Sequence, residues 1–145
     1  MKRQVYLDLI DKHREEINNF PIAYAFDEKQ LEVALGKLGA SRDECVTIFG
    51  HGDIVKKEDA PKFMAMLKRH SNEVINLLLN DKEVAEAAFL YEMDNHEYAI
   101  NWSGDEDVLD CFGLTEESLT KMGLRTVYLN ARRKHMKHAE EWGMI

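Results

Sequence analysis

The sequence predicts a single helix-rich α+β domain in which a small antiparallel sheet, built from hairpins, packs against helices. Its 145 residues leave room for one compact core. Apolar residues recur at helical spacing in several long segments, and short apolar and aromatic runs between turn residues are typical of strands. We find no internal repeat and no linker, so the prediction is one domain over residues 1–145.

The first elements are marked by caps and by proline. Residues 3–18 predict an amphipathic helix that ends before Pro21, because a residue that precedes proline disfavours helical geometry. Residues 20–26 are an apolar, aromatic run typical of a buried strand. Asp27 is placed to cap the next helix while Gln30 reaches back, and Gly39 is placed to end that helix in a left-handed conformation.

A hairpin and a long helix are predicted next. Residues 45–49 read as a strand, residues 50–53 as a turn, and Ile54 and Val55 as the returning strand. Asp59 is placed to cap a helix that carries Pro61 in its first turn and extends to about Leu79.

A second hairpin is predicted from residues 87–93 and 96–102, joined by a turn at Asp94 and Asn95. Three helices are predicted to follow. The first covers residues 105–112, the second is capped by Thr115 and ends at Gly123, and the last covers residues 124–142.

The net charge of −8 is unevenly distributed along the chain. Residues 83–120 contain 11 acidic residues and no lysine or arginine, whereas the rest of the chain has 19 basic and 16 acidic residues. This excess argues against nucleic-acid binding through the segment, because phosphate contacts need lysine and arginine. The alternatives are a solvated acidic face and a surface that binds a basic protein. The predicted partner-binding residues are Glu92, Asp94, Glu97, Asp105, Glu106, Asp107 and Asp110.

The alternative to a binding surface is a metal site with enzymatic activity. Motifs for phosphate loops, dinucleotide binding, serine hydrolases and zinc proteases are missing. His51 stands between two glycines beside Asp53, and His96 follows Asp94, so these three residues are candidate ligands of a divalent metal in a hydrolase or nuclease. The structural alternatives are a glycine turn with an exposed His51 and a cross-strand packing role for His96.

Other residues are expected to be structural. Cys45 and Cys111 are too few for a disulfide framework and are interpreted as buried free thiols. Trp102 and Trp142 are interpreted as core residues, and the basic residues at 132–138 as a helix surface. No signal peptide and no membrane span are predicted, so we expect a cytoplasmic protein without a cofactor.

Several segments resemble an uncharacterised family of small proteins from Firmicute bacteria and their phages or mobile elements. The resemblance rests on residues 20–26, 37–39, 50–59, 68–70, 95–98, 107–110 and 113–117. It carries no known activity and implies a phage or mobile-element context, in which small acidic proteins often inhibit host machinery by binding it.

We therefore expect a non-enzymatic regulator or inhibitor that binds a basic host protein, such as one that handles nucleic acid or acts in defence. The alternatives are the metal-dependent enzyme described above and a structural accessory protein that forms a homodimer through the first and last helices.

Overall fold

The computed structural model describes residues Met1–Ile145 and confirms the α+β class. It contains seven α-helices and one three-stranded antiparallel sheet with the strand order β1-β3-β2. In chain order the elements are α1 (Lys2–Asn18), β1 (Ile22–Tyr24), α2 (Glu28–Leu38), β2 (Cys45–Val46), β3 (Asp53–Lys56), α3 (Ala60–Asn80), α4 (Lys82–Asn95), α5 (Gly104–Asp110), α6 (Glu116–Lys121) and α7 (Arg125–Glu141). None of the helices is both long enough and apolar enough to span a membrane.

The chain divides into two compact units. Unit 1 consists of Met1–His13 and Ser71–Ile145, and unit 2 consists of Arg14–His70. Helices α1 and α3 therefore each contribute residues to both units.

Unit 2 contains the sheet and α2. Strand β3 pairs with both neighbours, with Ala23 of β1 opposite Ile54 and Val46 of β2 opposite Val55. Ala23, Ile54, Ala34 and Leu38 form a small buried apolar cluster between the sheet and α2. The predicted caps of α2 are confirmed. The Asp27 carboxylate accepts from the Gln30 N–H at 2.7 Å, and Gly39 has a φ of 63°.

The predicted strand at 45–49 ends early, after Val46. The backbone N–H groups of Ile48 and Phe49 donate to the carboxylate of Asp53 instead of to a neighbouring strand. The Asp53 side chain therefore accepts the hydrogen bonds that a neighbouring strand would otherwise accept. As a result, the strands of the hairpin that joins β2 to β3 are shorter, and its loop is longer, than predicted.

Unit 1 has an aromatic core. Tyr6, Phe89, Phe112 and Tyr128 are buried, and the Phe89 ring lies edge-on to Phe112 and Tyr128 at centroid distances of 5.0 and 5.3 Å. Burying such rings in edge-to-face pairs stabilises the unit beyond the area that they remove from water. The core joins α1 and α4 to the three last helices.

The prediction of a second hairpin is wrong, because residues 87–95 belong to helix α4. Asp81 caps this helix by accepting from the backbone N–H groups of Glu83 and Val84. Val84, Ala88 and other residues at helical spacing face the core. The alternation that suggested a strand was confined to a few residues, whereas the cap and the alanines favour a helix. In place of the second strand, residues Tyr98–Ile100 form a single 3₁₀ turn.

Candidate functional site

The seven acidic residues predicted to bind a partner all lie in unit 1, between the last turns of α4 and the end of α5. None of their carboxylates forms an ion pair with a lysine or arginine. The structure divides them into four that accept hydrogen bonds from neighbouring side chains and three that are exposed.

Glu92 and Asp94 belong to the first group. Glu92 is buried, and its Oε2 accepts from the Tyr6 hydroxyl at 2.8 Å, so this residue is not part of the exposed surface. Asp94 contacts the Nδ1 atoms of His135 and His138, at 2.7 and 3.2 Å. The backbone N–H of residue 99 donates to Nε2 of the fully buried His135, which places the ring proton on Nδ1, facing Asp94.

Asp105 and Asp107 complete that group. A single oxygen of Asp105 accepts from the hydroxyls of Tyr98 and Tyr128, at 2.7 and 2.6 Å. Desolvation and the bond to Asp105 raise the pKa of Tyr98 to about 12, so this hydroxyl stays a donor at neutral pH. The amide of Asn101 donates to Asp107 at 2.9 Å. These acids hold the structure of the loop between α4 and α5.

Glu97, Glu106 and Asp110 form the second group, with exposed side chains. Glu97 has a φ of 52°, and it is the only residue other than glycine with a positive φ in the protein. Its left-handed conformation ends the helical path of α4 and begins the turn toward Trp102.

Trp102 lies at the tip of this loop and is fully exposed, at 104 % of the reference area. The interpretation of Trp102 as a core residue is therefore wrong, and Trp142, which is 55 % exposed, is not a core residue either. Ile100, two residues before Trp102, is also half-exposed. We define the acidic-aromatic surface as Glu97, Ile100, Trp102, Glu106 and Asp110.

An open cleft of about 380 Å³ runs beside Trp102 and is lined by the residues of the loop from Tyr98 to Glu106. The loop is held from inside. The Asn101 side chain accepts from the backbone N–H of Ser103 and donates to the carbonyl of residue 96. A Cβ atom on Gly104 would lie 2.9 Å from the Tyr98 ring, so only glycine allows this close approach.

The predicted metal ligands are divided between the units, with His51 and Asp53 in unit 2 and His96 in unit 1. Asp53 is buried, and its two oxygens accept the backbone N–H groups of Ile48, Phe49 and His51 at 2.6 to 3.2 Å. Its carboxylate is thereby committed to the turn. The His51 side chain is exposed, as the turn interpretation expected.

A different group of candidate ligands lies in unit 1, namely Glu92, His96 and Cys111. One ligand atom from each residue lies within 4.8 Å of the other two, and the Cys111 sulfur is 3.2 Å from Nε2 of His96. Glu92 and His96 are four residues apart at the end of α4, and Cys111 follows the last residue of α5. We define these three residues as the Glu-His-Cys cluster.

Cys111 is an exposed free thiol, contrary to the expectation that it is buried, and Cys45 is partly exposed. Desolvation of the sulfur raises the pKa of Cys111 to about 12, with further contributions from Glu92, Asp110 and Asp107. A free thiolate is therefore disfavoured at neutral pH. The contact with His96 resembles a nucleophile and its base, but this electrostatic environment is the opposite of the one that activates a nucleophilic cysteine.

The sequence contained a signal for this cluster that the hairpin prediction concealed. Residues four apart face the same side of a helix, whereas in the predicted hairpin Glu92 would pair with Glu97 and its side chain would point to the face opposite His96. Glu92 and His96 therefore come together only when α4 is recognised. The cap at Asp81 was that signal.

Residues 5–134 match a family described as a family of unknown function (DUF7659). No curated protein and no solved structure matches the chain.

Proposed function

The chain belongs to the DUF7659 family of unknown function, and from this premise we propose that it is a non-enzymatic protein that binds a basic partner protein through the acidic-aromatic surface. The observation that carries the proposal is the fully exposed Trp102, on a loop whose segment also carries three exposed carboxylates that form no ion pair with a lysine or arginine.

A solvent-exposed tryptophan presents a large apolar area to water, and transferring this area out of water into a partner's pocket is favourable in free energy. Tryptophan is enriched among the residues that dominate binding energy at protein interfaces. Trp102 stands on a loop held by internal hydrogen bonds and by Gly104, so ordering the backbone of this loop costs little conformational entropy when it binds.

The chemistry of the partner follows from the surrounding charge. The exposed carboxylates of Glu97, Glu106 and Asp110 form no ion pair with a lysine or arginine of this chain. A partner with lysines or arginines around an apolar pocket would complement this arrangement, and the charges would accelerate association at low salt. The same carboxylates would repel nucleic acid and anionic membranes.

The biological setting is part of the proposal. The resemblance to small proteins of Firmicute phages and mobile elements supports a regulator or inhibitor of a host protein, and the two free thiols suit the cytoplasm. The target would be a basic host protein, such as one that handles nucleic acid or acts in defence.

The proposal is tested by capture and titration with four forms of the full chain. Wild type, Trp102→Ala, the Glu97→Gln/Glu106→Gln/Asp110→Asn variant and a control variant are immobilised and exposed to a Firmicute lysate at low and high salt. The control, Glu116→Gln/Glu140→Gln/Glu141→Gln, changes the charge equally at exposed positions outside the surface. The captured protein is then purified and titrated against each form by calorimetry.

We expect a basic protein whose Kd rises at least tenfold with Trp102→Ala, which corresponds to about 1.4 kcal/mol or more. The triple neutralisation at the surface should flatten the salt dependence of Kd, and the control should leave the slope close to that of wild type. If no captured protein distinguishes the surface variants from the control, this surface is not the binding site.

Self-association is the competing outcome. A homodimer formed through the first and last helices would appear by light scattering as a doubled mass that is insensitive to Trp102→Ala. That result without a captured partner would favour the structural accessory protein.

A further inference from the structure

The Glu-His-Cys cluster combines three kinds of metal-binding atom at the meeting point of two helix ends. Glu92 and His96 come from the last turn of α4 and its cap, and Cys111 comes from the cap of α5. In a tetrahedral zinc site, bonds of 2.0 to 2.3 Å place neighbouring ligand atoms about 3.4 to 3.6 Å apart. The observed 3.2 Å between Cys111 and His96, and the 4.8 Å limit for the whole group, lie within a shift of roughly 1 Å from that geometry.

The carboxylate of Glu92 is already oriented by a neighbour. The buried Tyr6 hydroxyl donates to Oε2 at 2.8 Å, which fixes the carboxyl group and leaves Oε1 without that bond. Metal-bound carboxylates commonly have a hydrogen-bond donor behind them in this way.

The electrostatic surroundings favour a cation. Asp107 and Asp110 lie on α5 just before Cys111, and Glu92, His96 and Cys111 form no ion pair with a lysine or arginine. The C-terminal ends of α4 and α5 add the negative poles of two helices. A bound divalent cation would offset this local negative charge.

We propose that Glu92, His96 and Cys111 bind one Zn²⁺ ion, with a fourth position open to water or to a side chain of a partner. The thiol and imidazole favour zinc over magnesium and calcium, which prefer sites made of oxygen ligands. On binding, the S–H bond of Cys111 breaks, a sulfur–zinc bond forms, and the proton is released to solvent.

This site is distinct from the acidic-aromatic surface, but it would act on the same loop. The loop with Trp102 lies between His96 and Cys111 in sequence, so an ion held by both would tie the two ends of the loop together. The proposal does not depend on the proposed function and is tested without a partner.

The test is calorimetric titration of Zn²⁺ into the full chain, freed of metal with a chelator and kept reduced. Wild type is compared with Cys111→Ser and His96→Gln, and with Cys45→Ser and His51→Gln as matched controls for the other cysteine and an exposed histidine. Circular dichroism confirms that each variant is folded. Titration in buffers of different ionisation enthalpy counts the protons released, and Co²⁺ substitution reports a sulfur ligand by its charge-transfer absorption.

We expect one equivalent of Zn²⁺ to bind to wild type and to both controls, with release of about one proton from the thiol. Cys111→Ser should abolish the sulfur-to-cobalt band, and both ligand variants should weaken binding at least tenfold. A thermal unfolding midpoint that rises with Zn²⁺ in wild type and does not rise in Cys111→Ser would agree.

Binding below one equivalent would overturn the proposal, as would equal affinities of Cys111→Ser and Cys45→Ser. Glu92→Gln is a less decisive variant because Glu92 is buried, and the two exposed or half-exposed ligand positions therefore decide the outcome.

Discussion

Asp53 is the residue with the clearest structural task. Burial by itself would raise its pKa, but the N–H groups of Ile48, Phe49 and His51 outweigh this effect and hold the pKa below its ordinary value. The carboxylate thus stabilises the folded state above about pH 3.8, its ordinary value, and this stabilisation is lost as the pH falls through the lowered pKa.

We expect Asp53→Asn to lower the free energy of unfolding by about 1 to 3 kcal/mol at pH 7, because buried N–H groups lose a charged acceptor. The difference from wild type should narrow as the pH falls below about 3.8, because Asp53 then becomes protonated first in the unfolded chain and, at lower pH, in the folded protein. Urea unfolding followed by circular dichroism at both pH values measures this difference. Glu58→Gln is the control at an exposed position of the same unit and should change stability by less than about 0.5 kcal/mol. A difference for Asp53→Asn that stays constant with pH would contradict the role assigned to its charge.

At the scale of the element, two glycines in helices should respond to alanine in opposite directions. Gly104 begins α5, and a Cβ there would lie 2.9 Å from the Tyr98 ring and 3.1 Å from its carbonyl oxygen. Gly36 lies exposed within α2, and a Cβ there would meet nothing within 4 Å.

Gly104→Ala should therefore destabilise the protein by about 1 to 3 kcal/mol, because the turn before α5 must shift to admit the methyl group. Gly36→Ala should stabilise it by about 0.5 to 1 kcal/mol, since alanine is a better helix former than glycine. Thermal unfolding of both variants checks the two signs. Stabilisation by both substitutions would mean that the Tyr98 ring yields without cost.

The elements also show where sequence reasoning succeeds. Helix α2 could be predicted with both ends because Asp27 and Gly39 act within a few residues of the positions they cap. The end of β2 could not be predicted, because it depends on the Asp53 side chain. Asp53 accepts hydrogen bonds from the backbone N–H groups of Ile48 and Phe49, which the sequence predicts to be in a strand. The exposure of Trp102 also could not be predicted, because the identity of an apolar residue does not show whether the folded chain will bury it.

At the scale of the whole molecule, the charge is concentrated in one unit. Unit 1 contains 17 acidic and 10 basic residues, and unit 2 contains 10 and 9, so seven of the eight net negative charges belong to unit 1. Repulsion among these charges opposes the compact state of unit 1 and is screened by salt.

Raising NaCl from about 10 to about 150 mM, which shortens the screening length from roughly 30 to 8 Å, should slow amide hydrogen exchange in α4, α5 and α6. Amides of β1, β3 and α2 should change little over the same range, because unit 2 is nearly neutral. Exchange measured by mass spectrometry locates the effect. Equal slowing in both units would point to a general salt effect unrelated to charge distribution.

The division into units also affects the order in which the chain can acquire structure during synthesis. Unit 2 is one continuous stretch, whereas unit 1 joins residues from before and after it. Tyr6 donates to Glu92, which is 86 positions later, so at translation rates of about 5 to 20 residues per second it waits roughly 4 to 17 seconds for this acceptor. By then the whole of Arg14–His70 has been synthesised. On the ribosome, the apolar side of the first helix, which includes Tyr6, Leu7 and Ile10, remains uncovered for that interval and is available to a chaperone.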